Sequence, residues 1–99
     1  MIRENHAVTV PPSRADRRRA RQARVRDLFG ADADAAQDIL ELTEFAWHDC
    51  YGDSSPPDRV LDDIFVCSRG RLGDLARAAR LAVEDYRDLR LWADDLRAT

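Results

Sequence analysis

A chain of 99 residues with 44% apolar and 35% charged side chains is long enough for one domain with a modest core and too short for two. No run approaches the roughly 20 apolar residues of a membrane span, and the opening stretch MIRENHAVTV lacks the apolar region of a secretory signal. We therefore expect a cytoplasmic protein, in which Cys50 and Cys67 are buried thiols rather than a disulfide.

The net charge of -3 conceals two regions of opposite sign. Residues 1–29 contain eight arginines and three acidic residues, a net charge of +5, whereas residues 30–99 contain eight arginines and sixteen acidic residues, a net charge of -8. Such a separation is typical of a contact with nucleic acid, an anionic surface or an acidic protein face.

The first predicted helix follows a tail that contains two prolines. The stretch VTVPP precludes a continuing helix, so we predict a mobile tail over residues 1–12 and a single helical domain over residues 13–99. Ser13 and the acid three residues later have the spacing of an N-cap, and Gly30 is a stop signal. These signals predict a helix over residues 14–29.

Two more helices follow from similar signals. Asp32 is a candidate N-cap and Gly52 a stop, which predicts a helix over residues 33–51. In the loop GDSSPP, Ser55 is a candidate cap for a helix that begins at the prolines and covers residues 56–68.

The last helix, predicted over residues 72–98, has the clearest pattern. Apolar residues alternate at spacings of three and four: Leu72, Leu75, Ala79, Ala82, Tyr86, Leu89, Ala93 and Leu96. No stretch alternates with period two, so no sheet is predicted. The chain is thus predicted to be all-α, a small antiparallel bundle of about four helices, with the second and fourth as the main pair.

The first helix carries a basic stripe, which comprises Arg14, Arg17, Arg18, Arg21 and Arg24. The stripe continues into Val25, Leu28 and Phe29 at the end of the same helix. Because burying unpaired guanidiniums costs several kcal/mol apiece, only the apolar end is expected to enter the core. The arginines should then stay at the surface or meet carboxylates.

Three interpretations of this basic stripe are open. It can bind an acidic protein partner or a second copy of the chain, bind nucleic acid, or form ion pairs with the acidic remainder of the domain. Seven arginines within residues 14–26 favour contact with phosphates, but no aromatic residue precedes Phe29, and the acidic body would repel a nucleic-acid backbone. Protein binding is the leading interpretation, with nucleic-acid binding as the alternative.

Enzymatic chemistry finds little support in the sequence. Glu44 and His48 lie one helical turn apart and could share a metal, but a complete site would need ligands from another helix. No serine or cysteine has an obvious base beside it, and there is no glycine-rich phosphate loop. We therefore expect no catalytic residue, no metal and no cofactor.

Four apolar side chains fall outside the predicted seams and are candidates for an interface: Phe45, Leu81, Leu91 and Trp92. The last helix is also too long for its neighbours to cover, which favours a homodimer. The sequence thus predicts a small non-enzymatic interaction or regulatory module that binds a partner, or itself, through the arginine-rich first helix and the long last helix.

Overall fold

The computed structural model describes residues 10–99, in which all regular secondary structure is helical. Helix α1 spans Arg14–Phe29, α2 spans Ala33–Tyr51, α3 spans Asp58–Ser68 and α4 spans Leu72–Ala98. The predicted all-helical bundle class is confirmed for this range. Within it, no helix is long and apolar enough to cross a membrane. The predicted tail falls largely on residues outside the described range.

The helical residues form three continuous stretches rather than four separated helices. Helix α1 passes through a 3₁₀ turn, Gly30–Asp32, directly into α2. Gly30 reverses the chain here, since its φ of 54° is accessible to glycine at little cost. Asp32 is the N-cap residue of α2, as predicted, but its side chain makes no capping hydrogen bond.

The helix starts show which local signals the chain uses. Ser13 and Asp16 form a capping box, in which each side chain accepts from the other residue's backbone N–H at 3.1 Å. The predicted cap by Ser55 is wrong. Helix α3 begins two residues later than expected, at Asp58, with Pro57 as its N-cap, and the Ser55 hydroxyl is buried without a hydrogen-bond partner.

The core is centred on the predicted seam of α4. Five seam positions are buried: Leu75, Ala79, Ala82, Leu89 and Ala93. Helix α4 packs most extensively against α3 rather than α2, which corrects the expected main pair. The short turn between Ser68 and Leu72 brings α3 and α4 together as a hairpin, and the alanines permit close approach of the two backbones. Helix α1 packs mainly on α2 and makes few contacts with α3.

A buried carboxylate joins α3 to α4. Asp63 is 2% exposed, and its Oδ2 accepts from Arg90 Nε at 2.8 Å. Arg97 Nη1 lies 2.9 Å from Asp63 Oδ1, a charged contact rather than a well-directed hydrogen bond, because this oxygen has no partner of hydrogen-bonding geometry. The contact with Asp63 raises the pKa of the Arg97 guanidinium. One carboxylate thus holds two arginines of the neighbouring helix.

Helix α4 is kinked rather than a continuous rod. Asp85 has φ of -160° and ψ of 92°, which is extended backbone inside the helix. Its Oδ1 accepts from the backbone N–H groups of Arg87 and Asp88 at 3.0 and 3.4 Å, as an N-cap does. The α4 chain therefore consists of two helical halves, the second of which begins with its own cap. This overturns the expectation of an unbroken helix.

An aromatic cluster lies beside the kink. The Tyr51 hydroxyl donates to the Val83 carbonyl at 2.8 Å, two residues before Asp85. The Trp47 ring lies 4.2 Å from that of Tyr51 and 6.0 Å from that of Tyr86, between ring centroids. Tyr86, which the seam pattern places in the core, follows the kink directly and is 37% exposed. The end of α2 thus supplies the hydrogen bond that this carbonyl accepts at the break.

We expect Gly70→Ala to destabilise the protein by at least about 1–2 kcal/mol, the cost of a left-handed conformation for a residue with a Cβ atom. Gly70 has φ of 74°, and a Cβ atom there would lie 2.5 Å from the backbone carbonyl oxygen of Leu28. Gly73→Ala is the control, because a Cβ atom at Gly73 meets nothing within 4 Å in the first turn of α4. Urea unfolding of both variants measures the difference. Equal stability would contradict the close approach of the α3–α4 turn to the end of α1.

We expect the cap at Asp85 to be lost in acid. Partial burial raises the pKa of this carboxyl, but the backbone N–H groups of Asp88 and Arg87 outweigh it, and the net pKa lies below the ordinary value of 3.8. A carboxyl with a lowered pKa stabilises the fold above its unfolded pKa, and this contribution is lost as pH falls through the folded pKa. Asp85→Asn keeps a capping oxygen that does not titrate.

The stability of the wild type relative to Asp85→Asn should therefore fall as pH drops below about 3.8. Thermal unfolding followed by circular dichroism at a series of pH values measures it, and the other carboxylates cancel in the comparison. If stability depended on pH in the same way in both proteins, the Asp85 carboxylate would not cap the second half of α4.

Candidate binding groove

A buried carboxylate of α2 binds two guanidiniums of α1. Glu44 is 3% exposed, and its Oε2 accepts from Arg17 Nε at 2.6 Å and from Arg21 Nη1 at 3.0 Å. Arg21 is itself 8% exposed, and its Nε donates to Gln37 Oε1 at 2.8 Å. Gln37 in turn donates to the Arg18 carbonyl at 2.9 Å. This Arg17–Glu44–Arg21 cluster fixes α1 against α2.

The burial of Arg21 corrects the expectation that only the apolar end of α1 enters the core. The guanidinium tolerates burial because Glu44 and Gln37 supply acceptors from the facing helix. The helical wheel of α1 could not reveal this, since both acceptors lie on α2. At Arg21, the structure shows the alternative in which an arginine of the stripe pairs with a carboxylate of its own chain.

Two further members of the basic stripe also pair within the chain. Arg18 Nη1 lies 3.3 Å from Asp38 Oδ1 and 3.0 Å from Glu41 Oε1. Partial burial opposes the charge of Arg18, but the two carboxylates outweigh it and raise the pKa of the guanidinium. Arg24 Nη1 lies 2.6 Å from Asp62 Oδ1, which connects α1 to α3 at the surface.

Aromatic rings cover two of the guanidiniums. The Arg14 guanidinium carbon lies 4.2 Å from the centroid of the Phe45 ring, and that of Arg24 lies 4.3 Å from the centroid of the Phe65 ring. Both distances are in the range of cation–π contacts. All five arginines predicted to face a partner therefore have a neighbour within the chain that accounts for their position.

A groove of about 740 Å³ lies between α1 and the segment that leads into α3. Here α1, which packs mainly on α2, faces α3, which packs mainly on α4, and Arg24 of α1 contacts Asp62 and Phe65 of α3. Its walls are mainly apolar, formed by Pro11, Pro12, Ala20, Pro56, Leu61 and Phe65. Its size is within the range of about 300–1,000 Å³ that is typical of ligand pockets.

Two polar groups of the groove lack hydrogen-bond partners. Arg21 and Ser55 both line it, and both Arg21 Nη2 and Ser55 Oγ are buried with no partner. A buried donor left unpaired costs about 1–3 kcal/mol. The groove therefore combines mainly apolar walls with two lining residues, Arg21 and Ser55, that each hold one buried polar atom without a partner. Ser55, assigned by sequence to a helix cap, is a residue whose place in the groove the sequence did not reveal.

The candidate metal ligands do not form a site in the described part of the chain. Glu44 is occupied by two guanidiniums, and His48 is exposed on α2. Residues 10–99 contain no group of three or more histidine, cysteine or acidic side chains placed to hold a metal ion.

The two thiols differ in environment. Cys67 is buried, and burial, followed by the charge of Asp63, raises the pKa of its thiol to about 11, so that it stays protonated at neutral pH. Cys50 is exposed, which corrects the expectation that both thiols are buried.

The four candidate interface residues do not form one patch. Leu81 and Trp92 are partly buried against the core. Phe45 lies under Arg14 on α2, whereas Leu91, which is 64% exposed, lines a separate depression with Tyr86 and other residues. A common apolar surface at these positions is therefore absent from the described structure.

Comparison with known proteins identifies no similar protein. No family model matches the chain, and searches of the curated proteins and of the solved structures also give no match.

We expect Glu44→Gln to destabilise the protein by about 3–5 kcal/mol, because it leaves buried Arg21 without a counter-charge. Glu84→Gln is the matched control. Glu84 makes an exposed pair with Arg80 at 3.0 Å, and such pairs contribute only about 0.3–0.5 kcal/mol. Urea unfolding at neutral pH measures both. Similar losses in the two variants would mean that the Glu44 cluster is solvated.

Proposed function

We propose that this protein is a small, non-enzymatic interaction module that binds a peptide segment of a protein partner in the groove between α1 and α3. The observation that carries the proposal is a mainly apolar groove of about 740 Å³ whose lining also includes the polar residues Arg21 and Ser55. Pockets that recognise ligands have this composition, in which apolar surface supplies affinity and a few polar groups supply orientation.

The groove replaces the outer face of α1 as the proposed contact. The arginines Arg17, Arg18, Arg21 and Arg24 already contact carboxylates of the chain, so a partner would have to compete with these ion pairs. The groove, in contrast, offers apolar area that no other part of the described chain covers. A contact with a second copy and a cytoplasmic location remain predictions from the sequence.

Nucleic-acid binding by α1 stays a prediction that the geometry does not favour. Its basis was a stripe of unpaired guanidiniums, and the pairs with Asp38, Glu41, Glu44 and Asp62 neutralise most of that stripe. Because these arginines are already paired, α1 would neutralise few phosphates of a nucleic acid and would bind it only weakly. A mobility-shift assay with duplex DNA or structured RNA at low salt separates this alternative from peptide binding.

We expect a random-peptide library displayed on phage to yield peptides that bind the full chain and lose binding to Ala20→Trp. Ala20 is an exposed residue of α1 on the groove wall, so an indole there occupies the space of the segment. Ala23→Trp is the matched control, because Ala23 is an exposed alanine of the same helix outside the groove. Peptides that bind both variants equally, or no peptides at all, would refute the groove as the binding site.

A further inference from the structure

A second depression, of about 350 Å³, lies between α3 and the second half of α4. This α3–α4 depression shares no lining residue with the groove between α1 and α3. Its exposed apolar surface comes from Tyr86 and Leu91, which are 37% and 64% exposed. A single exposed leucine is ordinary on a protein surface. Here a leucine and a tyrosine line one concave surface, which is a more specific arrangement.

The charged residues that line the α3–α4 depression have a positive excess. Three are arginines and one is a carboxylate: Arg59, Arg87, Arg90 and Asp63. The carboxylate is 2% exposed and is bound by Arg90 and Arg97 of α4. It therefore has no charge left to compensate the other two arginines of the lining.

The arginines of the lining are accessible from solvent. Arg59 is exposed and makes no ion pair with any residue of the described part of the chain, because Asp63, one turn further along α3, is held by α4. The Arg87 side chain is 82% exposed, with Asp85 at 3.5 Å. The Arg90 side chain is 42% exposed, and its bond to the buried carboxylate uses only Nε. An occupant of the depression can thus reach charged groups on both helices.

The acidic residues beside the α3–α4 depression do not line it. Asp85 caps the second half of α4, and Asp94 pairs with Arg97 at 3.2 Å. Asp88 and Asp94 are exposed three residues before and after Leu91. A nucleic-acid backbone crossing this part of α4 would meet these carboxylates as well as the arginines, which disfavours a run of phosphates. A short segment with few charges can contact the arginines alone.

A second copy of the chain is a poor occupant of this surface. A two-fold symmetric interface places the same patch of each subunit opposite itself. The arginines around the depression would then face the same arginines of the other copy. Such like-charge contacts across an interface are unfavourable, whereas a segment with negative charges is complementary.

From this combination of exposed apolar surface and positive charge, we infer that the α3–α4 depression is a second contact surface, which takes an acidic segment of a protein partner with an apolar side chain at its centre. The apolar side chain packs on Tyr86 and Leu91, and carboxylates on either side of it contact Arg59 and Arg87. Tyrosine and arginine are enriched among the residues that dominate binding at protein interfaces. The inference goes beyond the proposed function, because the groove contributes no residue to this surface.

The test begins with a random-peptide library displayed on phage and selected on the full chain carrying Ala20→Trp, which blocks the groove. Further variants are made in this background, and affinity is measured by fluorescence polarisation. We expect peptides in which aspartate or glutamate flanks an apolar residue, and whose binding weakens at least about tenfold in Leu91→Ser. Leu42→Ser is the matched control, because Leu42 is 66% exposed on α2 and lies outside the depression.

A second pair of variants tests the charge. Arg87→Glu should weaken binding about three- to tenfold, whereas Arg80→Glu should leave the affinity nearly unchanged. The control changes the net charge equally, at a side chain that is 79% exposed on the same helix, is paired with one acidic residue and does not line the depression. Peptides in which glutamine replaces the acidic residues should no longer distinguish the two variants.

The remaining outcomes overturn the inference. If no selected peptide were weakened by Leu91→Ser and unaffected by Leu42→Ser, the depression would not be a docking surface. Equal binding to Arg87→Glu and Arg80→Glu would remove the acidic character of the segment. A single-stranded oligonucleotide that binds more tightly than every selected peptide, and loses binding in Arg87→Glu, would assign the surface to nucleic acid.

Self-association is tested separately, by sedimentation of the chain without Ala20→Trp. A dimer that Leu91→Ser abolishes and Leu42→Ser does not would assign the surface to a second copy and overturn the inference. Peptide binding in the groove does not affect any of these outcomes, because the groove is blocked during selection and in the affinity measurements. Failure of the proposed function and failure of this inference can therefore be told apart.

Discussion

The structure depends on one interaction that occurs twice, a buried carboxylate held between two guanidiniums of a neighbouring helix. Glu44 holds α1 on α2, and Asp63 holds α4 on α3. Removing such charges from water is costly, and only good geometry with further hydrogen bonds offsets the cost. The clusters therefore select one register for each helix pair, because a shift by one turn would leave a carboxylate or Arg21 buried and unpaired.

Most of the fold could be predicted from local patterns. The capping box at Ser13, the stop at Gly52 and the spacing of Leu75, Leu89 and Ala93 each act within one helix, so the sequence reveals them directly. The kink was not predictable in the same way. The apolar seam continues through Asp85, and the Tyr51 hydroxyl that bonds to the Val83 carbonyl comes from another helix.

The candidate site was predictable only in part, for the same reason. The sequence identified the arginines of α1 but not their acceptors, because Glu44 and Gln37 lie on α2 and a helical wheel of α1 does not include them. The sequence suggested Glu44 as a metal ligand beside His48, whereas in the structure it is the counter-ion of Arg17 and Arg21. The groove itself results from the way two helix pairs meet, so its residues, including Ser55, come from segments that no sequence periodicity connects.

The break at Asp85 limits how far local unfolding can spread along α4. In an uninterrupted helix, fraying that starts at the free end proceeds through successive backbone hydrogen bonds. Here the N–H groups of Arg87 and Asp88 bond to a side chain, while the Val83 carbonyl accepts from Tyr51. Loosening of the second half of α4 can thus end at this residue, and the first half keeps its packing as a separate cooperative unit.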